Sequence, residues 1–216
     1  MTSIYIRSDT PLPARMENDL YVTEPDLIRS ALLLLAHGKH NRILDIGAGD
    51  GRWGTIAMEL EPEPISMLCG IEIEDRPKPD GFTGWLARQD FLDPDLKPWL
   101  AEQHFDMIVS NPPYALAEPI IRTAWDVLDA GGEMLMLLRL AFMEGVNRYH
   151  GLWVDIPPVE VAVCSRRPSF YGGGTNGTAF GVFYWGKWSK KHHGGNRGTP
   201  RRWRVSLLMH DREQSQ

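Results

Sequence analysis

Apolar residues along the chain follow two patterns, and each predicts a different secondary structure. Helical spacing is shown by Leu27, Ile28, Ala31, Leu32 and Leu35. The sequence Thr23-Glu-Pro-Asp before them is typical of a helix cap, and Gly38 is placed to end the helix in a left-handed conformation. Short apolar runs between turn-forming residues indicate buried strands instead, as at residues 42–46 and 67–73.

Strands and helices alternate over most of the chain. Strands are predicted at residues 42–46, 67–73, 85–88, 105–109, 133–138, 159–164 and 179–185. Further helices are predicted at residues 52–60, 96–103, 115–128 and 141–149, and Gly131 and Gly132 are expected to end the third of these. Such alternation favours a mainly parallel sheet covered by helices on both faces. Because no helix separates the last two strands, we expect them to form an antiparallel hairpin at an edge of the sheet.

The chain length of 216 residues fits one well-buried domain, which we place at residues 1–186, followed by a basic tail at residues 187–216. Between Lys187 and Arg204 there are seven basic residues and no acidic one, whereas the other 16 of the 23 basic residues are outnumbered by 28 acidic ones. A basic segment on an acidic body predicts a phosphate-binding arm, or alternatively a solvated terminus.

Composition narrows the class of protein further. The longest apolar run, residues 31–36, is too short to span a membrane, and no secretory signal precedes it, so we expect a cytoplasmic protein. Cys69 and Cys164 both lie in strand-like apolar runs. We expect them to be buried free thiols, with neither a disulfide framework nor a metal site.

The most distinctive local sequence is Asn111-Pro-Pro-Tyr114, which follows the strand at residues 105–109. Pro112 and Pro113 lack backbone donors and fix φ, so the strand must end there, and Asn111 is held extended because it precedes a proline. The result is a stiff loop with an amide, free carbonyls and an aromatic ring, which suits a planar group that carries an NH2. The alternative is a proline-rich turn with a surface tyrosine.

Residues 42–54 form a predicted strand, a glycine-rich turn and the start of a helix. The turn satisfies G-x-G-x-x-G at residues 49–54, and Glu72 ends the next strand, where an acid accepts from ribose hydroxyls. A dinucleotide would place its pyrophosphate at the start of the helix, where Asp45 and Asp50 disfavour an anion. These carboxylates suit a nucleoside that carries an ammonium and a sulfonium instead, which favours S-adenosylmethionine over NAD.

Together, Asp-Ile-Gly-Ala-Gly-Asp-Gly at residues 45–51 and Asn-Pro-Pro-Tyr at residues 111–114 resemble the amino-methyltransferases of the seven-stranded class, and in particular the N6-adenine DNA methyltransferases. The resemblance covers residues 21–186. It implies a Rossmann-like α/β fold with seven strands, and S-adenosylmethionine as the cofactor. The implied cofactor-binding residues are Thr23, Asp45, Gly47, Gly49, Glu72, Ile73, Asp90 and Phe91.

The resemblance also implies a role for each part of that set. The glycine turn would hold the methionine end of the cofactor, with Thr23 closing over it. Glu72 would bind both ribose hydroxyls, and Ile73 would pack on the adenine. Asp90 would accept from the cofactor's amino group while Phe91 covers the adenine. From the residues alone, Thr23 is an equally good helix cap, and Asp90 has a helix or turn cap before Pro94 as its alternative role.

The resemblance assigns catalysis to Asn111, Pro112, Pro113 and Tyr114. The Asn111 side-chain oxygen and the Pro112 carbonyl would accept both hydrogens of the target amino group and so return the lone pair to the nitrogen. Tyr114 would stack on the base. A duplex substrate would require the base to be flipped out.

A second aromatic motif, Arg167-Pro-Ser-Phe-Tyr171, resembles the segment on which the family stacks a flipped base. Phe170 is the first candidate for that ring and Tyr171 the second, and packing in the core is the alternative for both. Tyr114, Phe170 and Tyr171 are therefore the predicted substrate-binding residues.

The sequence therefore predicts an S-adenosylmethionine-dependent N6-adenine DNA methyltransferase whose partner is nucleic acid. Its specificity is expected to be site-specific or relaxed, because the chain has no room for a separate recognition domain. Methylation of an RNA base, at adenine N6 or guanine N2, and methylation of a protein glutamine remain alternatives. A non-catalytic nucleic-acid-binding protein with this fold is a further one.

Overall fold

The computed structural model describes residues 22–168, 177–188 and 204–208, which form one sheet with helices around it. The strands are β1 Arg42–Ile46, β2 Met67–Glu72, β3 Gly84–Ala87, β4 Phe105–Ser110, β5 Leu128–Arg139, β6 Glu160–Cys164, β7 Phe180–Gly186 and β8 Arg204–Leu208. The α-helices are α1 Pro25–Leu35, α2 Arg52–Leu60, α3 Lys97–Glu102, α4 Ala117–Val127, α5 Val146–His150 and α6 Leu152–Asp155. Two 3-10 helices cover Tyr114–Leu116 and Leu140–Met143.

The strand order is β3-β2-β1-β4-β5-β7-β6-β8. The first five strands are parallel to one another, and β7 runs antiparallel to both β5 and β6. The predicted parallel sheet and the antiparallel pairing of the last two predicted strands are confirmed. The pair does not end the sheet, however, since β7 lies between β5 and β6 and β8 lies outside β6.

The described part of the sheet has eight strands, so the prediction of seven is wrong by one. The additional strand, β8, lies within the segment predicted as a basic tail and pairs in parallel with β6. Its sequence signal is weak because Val205 and Leu207 are exposed and only Leu208 is buried. An edge strand of this kind lacks the continuous apolar run by which the central strands were predicted.

Both faces of the sheet are covered, as the alternation of elements predicted. Neighbouring side chains of β1 point to opposite faces, so Ile43 packs in a cluster with α1 and α2. Leu44 packs in a second cluster with α4 and α6. This arrangement leaves the carboxyl ends of the parallel strands free to carry a site.

Three local predictions fail for identifiable reasons. The helix predicted at residues 141–149 is divided, because Gly145 adopts a φ of +114° between the second 3-10 helix and α5. The glycines at 131 and 132 lie inside β5, which begins directly after α4. Helix α1 begins after Glu24 with no side-chain cap and ends at Ala36 in an extended conformation, so neither Thr23 nor Gly38 caps it.

A buried polar network joins the connection after α1 to β5 and β7. His40 Nδ1 lies 2.6 Å from Glu61 Oε1, and His40 Nε2 lies 3.1 Å from Glu133 Oε2. Tyr184 donates its hydroxyl to Glu133 Oε1 at 2.9 Å, and the His37 backbone N–H donates to Oε2 at 3.0 Å. Burial alone would lower the pKa of His40, but hydrogen bonds with Glu133 and Glu61 raise it above its ordinary value.

The pH dependence of stability follows from this network. Because the folded pKa of His40 is raised, its contribution is complete below 6.5 and is lost as the pH rises through the folded value. Burial raises the pKa of Glu133, but its hydrogen bonds with His40, His37 and Tyr184 outweigh burial and lower it, so its contribution is complete above 4.5 and is lost as the pH falls through the folded value. The network should stabilise the fold most between pH 4.5 and 6.5.

We expect the substitution His40→Gln to lower the free energy of unfolding in that window by about 3 kcal/mol, since it leaves Glu133 buried without its charged partner. The deficit should shrink at alkaline pH, where the wild type loses the same charge. Urea unfolding across a pH series measures it, with the exposed His150 changed to Gln as the control. A deficit that is independent of pH would contradict the ion-pair account.

Both cysteines are buried and free, as predicted. Burial raises the pKa of the Cys69 thiol to about 11 and that of the Cys164 thiol to about 12. The helices in the described ranges are all too short or too polar to cross a membrane.

Candidate active site at the carboxyl ends of the central strands

The glycine turn and the Asn-Pro-Pro-Tyr loop leave the sheet side by side. They follow β1 and β4, which are parallel neighbours with Asp45 opposite Val109 and Ile46 opposite Ser110. Ser110 also donates its hydroxyl to the Ile46 carbonyl at 2.8 Å. Because parallel strands end at the same edge of a sheet, the two loops begin within one strand spacing of each other.

The glycine turn is built so that the backbone lies open to a ligand. Gly47 has a φ of +61°, is exposed, and would carry a Cβ into space with no atom within 4 Å. Gly54 is needed for the opposite reason, because a Cβ there would lie 2.9 Å from both Leu68 and Phe82. Helix α2 therefore packs closely on the sheet while the turn above it leaves room for a bound group.

Asp45 lies beneath this turn and is 1% exposed. Its Oδ2 accepts the Gly54 N–H at 2.8 Å. Burial raises the pKa of Asp45 well above its ordinary value, the nearby carboxylates of Asp50 and Glu72 add to this, and only the Gly54 N–H opposes it. A buried carboxyl without a described cation is suited to a cationic group, such as the ammonium of a methionine moiety.

Glu72 is fixed at the end of β2 by two backbone donors. Its Oε2 accepts the Gly49 N–H at 2.7 Å, and its Oε1 accepts the Glu74 N–H at 2.9 Å. Each carboxylate oxygen keeps a second lone pair for a hydroxyl. Ile73 follows directly and is 58% exposed, which leaves its side chain available to a flat ring.

Asp90 and Phe91 lie in the loop after β3. The Asp90 side chain is exposed, and its Oδ1 accepts the Leu92 N–H at 2.8 Å, which is the turn role considered for it. Phe91 is buried in the core cluster on the α4 face. The loop is tied to Glu72, because the Gln89 N–H donates to the Glu72 carbonyl at 3.0 Å. The assignment of Asp90 and Phe91 to the cofactor stays a prediction.

Thr23 connects the two halves of the site. Its hydroxyl oxygen accepts from Trp53 Nε1 at 3.1 Å and from Asn111 Nδ2 at 3.1 Å, and the residue is 2% exposed. Arg52 Nη1 donates to the Thr23 carbonyl at 2.8 Å and its guanidinium pairs with Asp50. The segment before α1 is thereby held against both the glycine turn and the Asn111 loop.

Trp53 and Arg52 were not predicted as site residues. Their only sequence signal is a position immediately after the glycine turn, which is also compatible with ordinary helix packing. The contacts that give them a role come from Thr23, which is 30 residues from Trp53. A pattern confined to residues 42–54 does not contain that information.

The Asn111 amide is oriented by hydrogen bonds at both of its side-chain atoms. Its Nδ2 donates to the Thr23 hydroxyl oxygen at 3.1 Å, and its Oδ1 accepts from the Tyr114 hydroxyl at 3.4 Å. Pro112 is buried, and Pro113 precedes the 3-10 helix that begins at Tyr114. The loop thus presents a fixed acceptor next to an aromatic ring.

The Tyr114 ring borders a cavity of about 320 Å³. The Phe180 ring centroid lies 5.7 Å from that of Tyr114, and the Arg139 guanidinium lies 4.6 Å from it. The cavity is lined by Tyr114, Ala115, Ala117, Leu138, Arg139, Ala141, Phe142 and Arg148. The residues predicted to stack on a base, Phe170 and Tyr171, lie outside the described residues.

Comparison with known proteins identifies the class to which this fold and site belong. The model of the family described as "methyltransferase small domain" matches residues 26–143, which is more than half of the chain and includes both the glycine turn and the Asn111 loop. The chain belongs to this family, and its cofactor is S-adenosylmethionine. The open turn above Gly47 and the buried Asp45 fit that cofactor.

One relative and two solved structures give a finer comparison. The tRNA1(Val) (adenine(37)-N6)-methyltransferase of Escherichia fergusonii is 30% identical over 80 residues, which is 34% of this chain and 32% of that protein. The chain thus matches only about a third of the length of this relative.

Two solved structures are similar in fold. A predicted O-methyltransferase of Agrobacterium tumefaciens, Atu636, is 19% identical with a TM-score of 0.57 and 89% coverage of both chains. The methyltransferase subunit of a type I restriction-modification system of Streptococcus thermophilus is 16% identical with a TM-score of 0.57, over 78% of this chain and 45% of that one. Both structures share the fold.

The bridging role of Thr23 leads to a test by substitution. Thr23→Val keeps the shape of the side chain but leaves Trp53 Nε1 and Asn111 Nδ2 without their acceptor. We expect about a tenfold loss of turnover, because the amide loses one of the hydrogen bonds that orient it. Thr23→Ser retains the acceptor and is the matched variant. Steady-state kinetics in which the two variants behave alike would contradict this role.

Proposed function

We propose that this protein transfers a methyl group from S-adenosylmethionine to the exocyclic N6 amino group of adenine in a nucleic acid. The observation that carries the proposal is the fixed Asn111 amide beside the glycine turn. Its Nδ2 donates to Thr23 at 3.1 Å and its Oδ1 accepts from the Tyr114 hydroxyl at 3.4 Å, so the amide is held with its acceptor oxygen on the side of Tyr114. An acceptor with an adjacent aromatic surface matches a planar ring that carries an NH2.

Asn111, Pro112 and Tyr114 position the adenine and polarise its amino group. Asn111 Oδ1 and the Pro112 carbonyl accept the two amino hydrogens, which favours a pyramidal nitrogen and withdraws its lone pair from the ring. Tyr114 supports the face of the base. When bound, S-adenosylmethionine supplies an electrophilic methyl carbon attached to a sulfonium. Holding the nitrogen in line with that carbon provides much of the rate acceleration. The methylated nitrogen is cationic and acidic, so it loses its proton without a dedicated base.

Two kinds of nucleic acid are supported by different observations. DNA is favoured by the order of the glycine turn and the Asn-Pro-Pro-Tyr loop, which resembles that of the N6-adenine DNA methyltransferases. A methyltransferase subunit of a type I restriction-modification system also shares the fold. The relative from Escherichia fergusonii is named as an adenine-N6 methyltransferase of tRNA, which favours RNA as the second candidate substrate. Both candidates place the same amino group against Asn111.

Transfer of labelled methyl groups to a panel of acceptors tests the proposal. The panel contains double- and single-stranded DNA, total tRNA and a glutamine-containing peptide, and the products are digested to nucleosides or amino acids. The proposal predicts label in N6-methyladenine from DNA or RNA. Label in guanine N2 or in glutamine would assign the same loop to a different amine, and binding of nucleic acid without transfer would indicate a non-catalytic protein.

A further inference from the structure

The cavity beside Tyr114 has an unusual charge for this protein. Among the described residues, its lining includes two arginines, Arg139 and Arg148, and no acidic residue. The chain as a whole has a formal net charge of −5. A positively lined cavity in an acidic protein attracts an anion, and its volume of about 320 Å³ is suited to a single small unit rather than to a duplex.

Arg139 brings a second feature to this cavity, a hydrogen-bond donor that no described residue engages. It is the last residue of β5, and its guanidinium lies over the Tyr114 ring at 4.6 Å from the centroid. Its Nε is buried and has no hydrogen-bond partner among the described residues. A buried N–H without a partner is unfavourable, and an anionic oxygen from a ligand would satisfy it.

Arg148 is held rigidly by the backbone. Its Nε donates to the carbonyls of Phe142 at 2.9 Å and Glu144 at 3.0 Å, and its Nη2 donates to the Glu144 carbonyl at 2.6 Å. The guanidinium also lies 4.8 Å from the centroid of the Phe142 ring. Within the described ranges, neither Arg148 nor Arg139 forms an ion pair with a carboxylate, so both charges are available to a ligand.

We propose that Arg139 and Arg148 form a phosphate-binding subsite that holds the nucleic-acid strand at the nucleotide whose base enters the Asn111 site. The inference rests on the proposed function, because it assigns the anion to the backbone of the same substrate. Arginine suits this role, since its planar guanidinium binds phosphate oxygens through paired hydrogen bonds. The subsite favours a polynucleotide over a glutamine side chain, which brings no phosphate.

Binding of a single-stranded oligonucleotide with one adenine tests this subsite. The probe carries a fluorescent label, and its dissociation constant is measured for the full chain with S-adenosylhomocysteine at several salt concentrations. Arg148→Gln and Arg139→Gln should each weaken binding by about 10- to 100-fold, the value of a hydrogen bond to a charged group. Each should also lower the slope of log affinity against log salt by about 0.7, as expected for one phosphate contact on a single strand.

A chemical change in the probe locates the contact. Replacing one phosphate beside the adenine by a neutral methylphosphonate should weaken binding to the wild type. The same replacement should have little further effect on binding to Arg148→Gln, because the two changes remove the same interaction.

Arg29→Gln is the matched control, because Arg29 pairs with Glu59 and does not line the cavity. Arg148→Lys keeps the positive charge but, like Arg148→Gln, loses the guanidinium bonds to the Phe142 and Glu144 carbonyls. It should therefore bind the probe more tightly than Arg148→Gln does.

The outcomes separate this subsite from the proposed function. Unchanged affinity and salt slope in both Gln variants, or equal sensitivity of wild type and variants to every methylphosphonate, would overturn the subsite. Loss of affinity in Arg148→Lys as large as in Arg148→Gln would reduce the residue to a structural support and also overturn it. Methyl transfer is measured on the same probe, so an absence of transfer with salt-dependent, arginine-dependent binding would reject the proposed activity and keep the subsite.

Discussion

Replacement of Asn111 by alanine should reduce the turnover of methyl transfer by about 10² to 10³, the effect of removing one group that acts on the developing charge in an active site. The variant loses the Oδ1 acceptor for the amino group, and it also loses the bond to Thr23. The cofactor contacts predicted at the glycine turn remain, so the affinity for S-adenosylhomocysteine measured by calorimetry should be nearly unchanged.

Two further variants make the Asn111 result specific. Asn41→Ala removes an amide at the start of β1, where Asn41 Oδ1 accepts the Ser66 N–H, and it should leave turnover unaffected. Tyr114→Phe keeps the stacking surface and removes the long 3.4 Å contact to Asn111, so it should retain most of the activity. Full turnover in Asn111→Ala, or a loss confined to cofactor binding, would rule out the amide as the group that holds the amine.

The substitution Asp45→Asn should weaken cofactor binding while making the fold more stable at neutral pH. Asp45 is buried, and burial raises its pKa well above the unfolded value of 3.8. The folded protein therefore binds more protons than the unfolded chain, so this residue makes stability fall as the pH rises from 3.8 through the folded pKa. Asparagine does not ionise, and its side-chain oxygen still accepts the Gly54 N–H.

The loss of affinity expected for Asp45→Asn is about 10- to 100-fold, the value of a hydrogen bond between charged groups. Calorimetric titration with S-adenosylhomocysteine and urea unfolding at two pH values measure the two effects. Asp50→Asn is the matched control, because Asp50 belongs to the same turn but is exposed and paired with Arg52. An Asp45→Asn protein that binds the cofactor normally would show that this carboxylate does not meet the ammonium.

These opposite effects agree with a general feature of active sites, where a group is kept in an unfavourable environment because a ligand needs it there. Asp45 is costly to the isolated fold, yet its position beneath the glycine turn is fixed by β1 and by the Gly54 N–H. The same holds for the Arg139 Nε beside the cavity, which has no hydrogen-bond partner in the described part of the chain.

Local sequence was sufficient for the central sheet and for the position of the two main loops. The strands at residues 42–46 and 105–110 are short apolar runs with strong stop signals, namely the glycines after Ile46 and the prolines after Asn111. Their alternation with helices dictated parallel pairing, and this in turn placed the two loops at one edge of the sheet.

Features that depend on distant partners could not be predicted in this way. The Thr23-Glu-Pro-Asp sequence has a good local use as a helix cap, but the Thr23 hydroxyl is taken instead by Trp53 and by Asn111, which is 88 residues away. The bond between His40 and Glu133 spans 93 residues, and nothing in either local sequence indicates a buried ion pair. The strand β8 was missed because its outward side chains interrupt the apolar pattern.

The proposed mechanism is tested most directly by the structure of the protein with S-adenosylhomocysteine and a single-stranded oligonucleotide that contains one adenine. In that complex the adenine N6 should lie within hydrogen-bonding distance of both Asn111 Oδ1 and the Pro112 carbonyl, with the base against Tyr114 and the cofactor sulfur on the open side of the amino group. An adenine whose amino group points away from Asn111, or a cofactor bound away from the Gly47 turn, would contradict it.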